Sequence, residues 1–183
     1  VAGSVILALD IGRYTGWAAG GLDVMPPRLG TVDVPWPVPV MVDGQARGYD
    51  YGRTVEAWAN AMLLLLDEVK PAHLYVEAPW LNPKAGARDE VFLRLVQGFM
   101  PLRLEEIARR RRLAVTEVNV GTVRAVFCNK APRVAPNGRT LSADERVALA
   151  CQARGWRTAD SHQADAAALY AFARQELARK VVA

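Results

Sequence analysis

Three short apolar runs limit what this chain can fold into. They are VILALDI at Val5–Ile11, HLYVEA at His73–Ala78 and LAVTEV at Leu113–Val118. Each has the length and composition of a buried strand, and helical spacing fills the gaps between them. In Tyr51–Lys70, Val55, Trp58, Ala59, Met62, Leu65 and Leu66 recur at intervals of three and four before Pro71 ends the pattern. Asp89–Arg112 reads as a second helical stretch, with Asp89 as N-cap and Pro101 dividing it. Strands separated by helices predict an α/β fold whose sheet is at least partly parallel. At 183 residues, 51% of them hydrophobic, the chain predicts one domain over residues 1–183 with a substantial core.

The remaining segments fit between these. A second strand is predicted to begin near Trp17–Ala19. Leu22–Gly48, with VPWPVPV at Val34–Val40, suits an edge strand or an irregular excursion. Asn82–Arg88 and Asn129–Arg139 read as loops. Ser142–Arg154 reads as a helix, because Ser142 and Glu145 have capping-box spacing and Gly155 follows. Ser161–Lys180 is the last predicted helix. Cys128 and Cys151 make no disulfide framework and are expected as buried thiols of a reduced, cytoplasmic protein. No secretory leader is evident, and the apolar run around Met62–Leu66 is too short to span a bilayer.

Two of the apolar runs end in an acid. Asp10 closes the first and is followed by Gly12 and Gly16; Glu77 stands near the end of the second. A charged carboxylate at a buried strand end is costly unless it is paired or binds a metal. Taken singly, each has an ordinary alternative: Asp10 capping its turn, Glu77 meeting water or an arginine. A third acid lies in ADSHQADAAALYAFA, Ala159–Ala173. His162 and Asp165 are three apart and share a helical face with Leu169 and Phe172, so Asp165 should face a polar pocket at the sheet edge. Asp160 is a second-tier ligand candidate, because Asp160 and Gln163 also have capping-box spacing. Three carboxylates and an imidazole suit Mg²⁺ or Mn²⁺ rather than zinc. Two such ions can activate a water and stabilise the leaving oxygen of a phosphodiester. On this reading Asp10 is a metal ligand, and the glycines give the backbone a sharp turn and keep side chains out of a bulky substrate's way.

ALDIGRYTGWA, YVEAPW and HQADAAAL resemble, in order and interval, the three acidic motifs of RuvC-type Holliday-junction resolvases, especially those of phages and prophages. The resemblance spans nearly the whole chain. It implies an RNase H-like fold, a mixed five-stranded sheet flanked by helices. It also implies a homodimer that cuts four-way DNA junctions with two Mg²⁺ or Mn²⁺ ions per site. Asp10 would bridge both metals, Glu77 would bind one, Asp165 would complete the cluster, and His162 would bind a metal or hold the attacking water. Arg124 or Lys130 would contact the scissile strand. Trp80, Phe92 and Phe99 are candidates for the aromatic group that enters the junction.

The formal charge of +4 is compatible with a polyanion partner. On a DNA nuclease the block Arg109, Arg110, Arg111 and Arg112 would meet phosphates; otherwise it is a solvated helix end. Related readings are an RNase H-like nuclease acting on flaps or RNA–DNA hybrids, and a non-catalytic branched-DNA module. An actin-like ATPase or sugar kinase would need a second Asp-x-Gly phosphate motif, and VDG at Val42–Gly44 makes a poor one.

Overall fold

The computed structural model describes residues 4–78, 91 and 93–182. The predicted loop Asn82–Arg88, the N-cap Asp89, and the aromatic residues Trp80 and Phe92 lie outside them. The strands are β1 (Val5–Asp10), β2 (Tyr14–Gly21), β3 (Arg28–Asp33), β4 (Val38–Val42), β5 (Gln45–Asp50), β6 (His73–Glu77) and β7 (Val115–Val118). The helices are α1 (Tyr51–Val69), α2 (Met100–Arg110), α3 (Val120–Phe127), α4 (Ala143–Gln152) and α5 (Ser161–Val182), with a π-helical stretch, Leu93–Phe99, before α2. Five strands form one sheet in the order β3-β2-β1-β6-β7, and β4 and β5 form a separate ribbon. β1 is antiparallel to β2 and parallel to β6, and β6 is parallel to β7. This is the mixed five-stranded sheet flanked by helices that the motifs imply.

β1 is central and buried on both faces, which is why it reads as an unbroken apolar run rather than an alternating one. Ile6 and Ala8 face one layer with Tyr75 and Val118, against α3, α4 and α5. Leu7 and Leu9 face the other with Leu74 and Val76, against α1, the π-helical stretch and α2. α1 begins where Asp50 accepts a hydrogen bond from the Arg53 amide, and it ends at Lys70 in the left-handed region just before Pro71. Pro101 sits in the first turn of α2, where its missing N–H costs nothing, and the division falls there as predicted. The Ser142–Glu145 capping box forms in full, and Gly155 takes a left-handed conformation with φ 73°. Both cysteines are free and buried. No helix among the described residues is long and apolar enough to cross a membrane.

Three details differ from the sequence reading. β2 starts at Tyr14, ahead of Trp17, because pairing with β1 reaches only Gly16 while pairing with β3 continues to Tyr14. The Pro-rich segment holds the expected edge strand, β3, but in place of an irregular excursion an exposed antiparallel ribbon, β4–β5, follows it. α3 follows β7 directly, capped by Asn119, whose side chain accepts from the Gly121 amide. This short helix carries Val120, Thr122 and Val123, which are weak helix formers.

The β1–β2 turn is held from inside. The indole Nε1 of Trp58 donates to Thr15 Oγ1 at 2.9 Å, and that hydroxyl lies 3.0 Å from the Gly12 carbonyl. The second glycine of the motif serves packing rather than substrate clearance. A Cβ on Gly16 would lie 2.1 Å from the His162 carbonyl oxygen, so only glycine lets α5 approach β2 this closely. A Cβ on Gly12 would meet the His162 ring at an ordinary 3.7 Å. Gly16→Ala is therefore expected to push the start of α5 off β2 at a cost of about 1–3 kcal/mol. Thermal melts should show a drop of several degrees, and a wild-type melting temperature would refute this account of the glycine.

Candidate active site

The parallel strands β1, β6 and β7 end at the same edge of the sheet. In parallel sheets that carboxyl edge is where ligands bind. Register pairs Leu9 with Val76, so Asp10 and Glu77 stand side by side one residue further on. They line a cleft of about 200 Å³ whose walls include Val96, Pro101 and Leu104. Such walls keep the dielectric low around the two acids.

α5 delivers the other two groups. Its first turn is capped by Asp160, which accepts from the Gln163 amide at 2.7 Å and from the Thr31 hydroxyl at 2.8 Å. The capping role foreseen as the alternative is thus the one Asp160 performs. In that same first turn, His162 Nδ1 lies 2.9 Å from Asp10 Oδ2. Three residues on, Asp165 accepts from Arg124 Nη2 at 3.0 and 3.2 Å. That nitrogen also lies 2.9 Å from Asp144 Oδ1. The Nε of Arg124 is buried with no hydrogen-bond partner among the described residues. Asp144, in the first turn of α4, went unnoticed in the sequence because the adjacent capping box accounts for that turn.

The electrostatics follow from crowding. Burial, then the charges of Asp10 and Asp165, push the Glu77 carboxyl up to about 8, and Arg124 only partly offsets this. Burial also raises Asp165, with Asp10 adding to it against the pull of Arg124. The Asp10 hydrogen bond raises His162 against the opposing effect of burial. Burial disfavours the Arg124 charge, but Asp165, Asp144 and Glu77 outweigh it and raise that group. Four acids in one neighbourhood thus lean on one guanidinium and one imidazole.

This donor set fits a hard divalent cation. It offers carboxylate oxygens whose mutual repulsion a dication would relieve. As the side chains stand, however, no group of three or more His, Cys, Asp or Glu among the described residues is arranged to hold an ion. Arg124 takes a cation's place against Asp165. A metal would need Asp165 to exchange that partner for the ion.

The other expected contacts are dispersed. Lys130 is exposed in the turn after α3. The block Arg109–Arg112 sits just before β7, at the sheet edge opposite the acids, because β7 runs parallel to β6. Within it Arg110 pairs with Glu106 and Arg111 with Asp67. The structure therefore does not bring this block to the acidic cleft. Phe99 is partly exposed beside Tyr51, with ring centroids 5.5 Å apart.

No family model matches this sequence, and no curated protein matches it. Solved structures do. A Thermus thermophilus RuvC in complex with Holliday junction substrate superposes with a TM-score of 0.60 at 18% identity, covering 91% of this chain and 89% of that one. A second Thermus thermophilus RuvC structure gives 0.57 at 18%, covering 94% and 96%. The yeast mitochondrial Holliday junction resolvase Ydc2 gives 0.55 at 10%, covering 97% and 84%. At these identities the likeness is one of fold.

The Glu77 shift has a consequence for stability. Between pH 4.5 and about 8 the folded protein holds a proton on Glu77 that the unfolded chain has released. Stability therefore falls as pH rises across that window. Glu77→Gln, which mimics the protonated carboxyl, should melt near wild type at pH 4.5 and several degrees above it at pH 8, in chelator. Parallel pH profiles for the two proteins would contradict this.

Proposed function

We propose that this chain is a RuvC-type, metal-dependent endonuclease that cleaves four-way DNA junctions. The observation that carries the reading is the meeting of Asp10, Glu77, His162 and Asp165 at the carboxyl edge of this sheet. The likeness of the fold to junction resolvases supports the substrate. The half-exposed Phe99 and exposed Leu102 beside Tyr51 support a homodimer, whose twofold axis would present two sites to two like strands.

Asp10, Glu77, Asp165 and His162 would hold one or two Mg²⁺ or Mn²⁺ ions. Bound there, the metal would supply a water of lowered pKa and neutralise charge on the leaving oxygen. The protein's own groups prepare the site. Asp10 accepts Nδ1–H of His162 and so fixes the ring, leaving Nε2 either to bind a metal or to hold the attacking water. The apolar part of the cleft wall lowers the local dielectric around the acids. Once Asp165 is engaged elsewhere, Arg124 retains Asp144 as its partner at the rim.

Matched junction, flap, duplex and RNA–DNA hybrid substrates, each with Mg²⁺, Mn²⁺ and chelator, test the reading. Symmetric nicks in the junction alone, lost with chelator, are the expected result. Preferential cutting of the hybrid would reassign the substrate. Asp10→Asn should still bind the junction while cutting falls by about 10³-fold or more, the loss of several kcal/mol of charge stabilisation. Wild-type cutting by that variant would end the proposal.

A further inference from the structure

Arg13 stands three residues beyond Asp10, exposed in the turn that joins β1 to β2. Its guanidinium carbon lies 5.0 Å from the Tyr14 ring centroid and 5.7 Å from that of Trp36. The Tyr14 ring is 6.0 Å from His162, which is bonded to Asp10. A continuous line of contacts thus runs from the catalytic acid outward through His162, Tyr14 and Arg13 to Trp36. The line is anchored at both ends. Thr15 and Trp58 hold the turn, and Trp36 packs against the core between two prolines, with the Pro35 carbonyl accepting from Thr54 Oγ1 at 2.9 Å. Among the described residues the Arg13 guanidinium has no hydrogen bond or ion pair, so its N–H groups remain for an external acceptor.

Building on the nuclease reading, we propose that Arg13 is a phosphate-binding residue that seats the DNA backbone beside the scissile phosphodiester, with Tyr14 and Trp36 as the clamp that positions it. The cluster of carboxylates repels a polyanion, and a fixed cation on its lip offsets that repulsion where the strand must enter. Stacking between two rings suits arginine, whose planar, weakly hydrated fork pairs with phosphate oxygens. Of the other candidate cations, Arg124 is committed to Asp165 and Asp144, and Arg110 and Arg111 to acids at the far edge of the sheet.

The test measures binding of a fluorescent four-way junction to the Asp10→Asn protein, with Ca²⁺, from about 50 to 200 mM salt, a range over which phosphate contacts dominate affinity. Adding Arg13→Ala should weaken binding about tenfold at the low-salt end and reduce the slope of log K against log salt by about 0.9, one phosphate contact. Arg13→Lys should restore the slope but only part of the affinity. Trp36→Leu should keep the slope and weaken binding modestly. Arg28→Ala, which removes the same charge at the opposite end of the sheet, should leave the slope alone. Equal slopes and affinities for the parent and Arg13→Ala would overturn the inference, as would equal effects at Arg13 and Arg28. A parent that binds junction no better than duplex would instead overturn the nuclease reading and this inference with it.

Discussion

The structure depends on bringing like charges together in a place poor in water. Asp10, Glu77 and Asp165 share one neighbourhood, with Asp144 behind them. Such a group is unfavourable unless some charges are neutralised or opposed. The protein does both. Glu77 holds its proton up to about pH 8, and Arg124 and His162 each stand against a carboxylate. The fold is thus a compromise in which side-chain cations and a proton offset the mutual repulsion of the acids. That explains why the acids converge without forming a ligand cage.

Holding such a compromise takes a stiff frame. Adjacent parallel strands fix Asp10 beside Glu77 with backbone hydrogen bonds, which no loop could do as closely. α5 must then lie almost on the sheet. Its buried residues are mostly alanines, Ala164, Ala166, Ala167, Ala168, Ala171 and Ala173, and Gly16 removes the last obstacle beneath its first turn. Replacing this surface with larger side chains would lift the helix and carry His162 and Asp165 away from the strands together. Small residues here serve distance, and distance serves electrostatics.

Much of this was legible in the sequence because it rests on local rules. The acid-ended strands, the Ser142–Glu145 box, Lys70 before Pro71 and the break at Pro101 each obey a short-range constraint. The His162–Asp165 spacing likewise predicts a shared face toward the sheet. What escaped depends on long-range contact. Arg124 meets Asp165 across 41 residues of sequence, and Asp144 joins only because α4 packs beside α3. The role of Gly16 is set by a helix that begins 145 positions later. α3 was missed because its β-branched residues argue locally for a strand, and packing overrules them.

Charge placement shows the same limit. A run of four arginines dominates the sequence, yet topology carries it to the edge of the sheet opposite Asp10. A helix between two parallel strands returns the chain to the starting edge, so a basic helix end just before β7 must lie opposite the acids of β1 and β6. Conversely, a residue in the turn after β1 must lie with them. Arg13 is inconspicuous as one letter among 23 Lys and Arg. It gains importance because the turn that exposes it is the turn that presents Asp10. For a cation meant to meet a phosphate beside the acids, strand direction is a stronger guide than the density of charge along the chain.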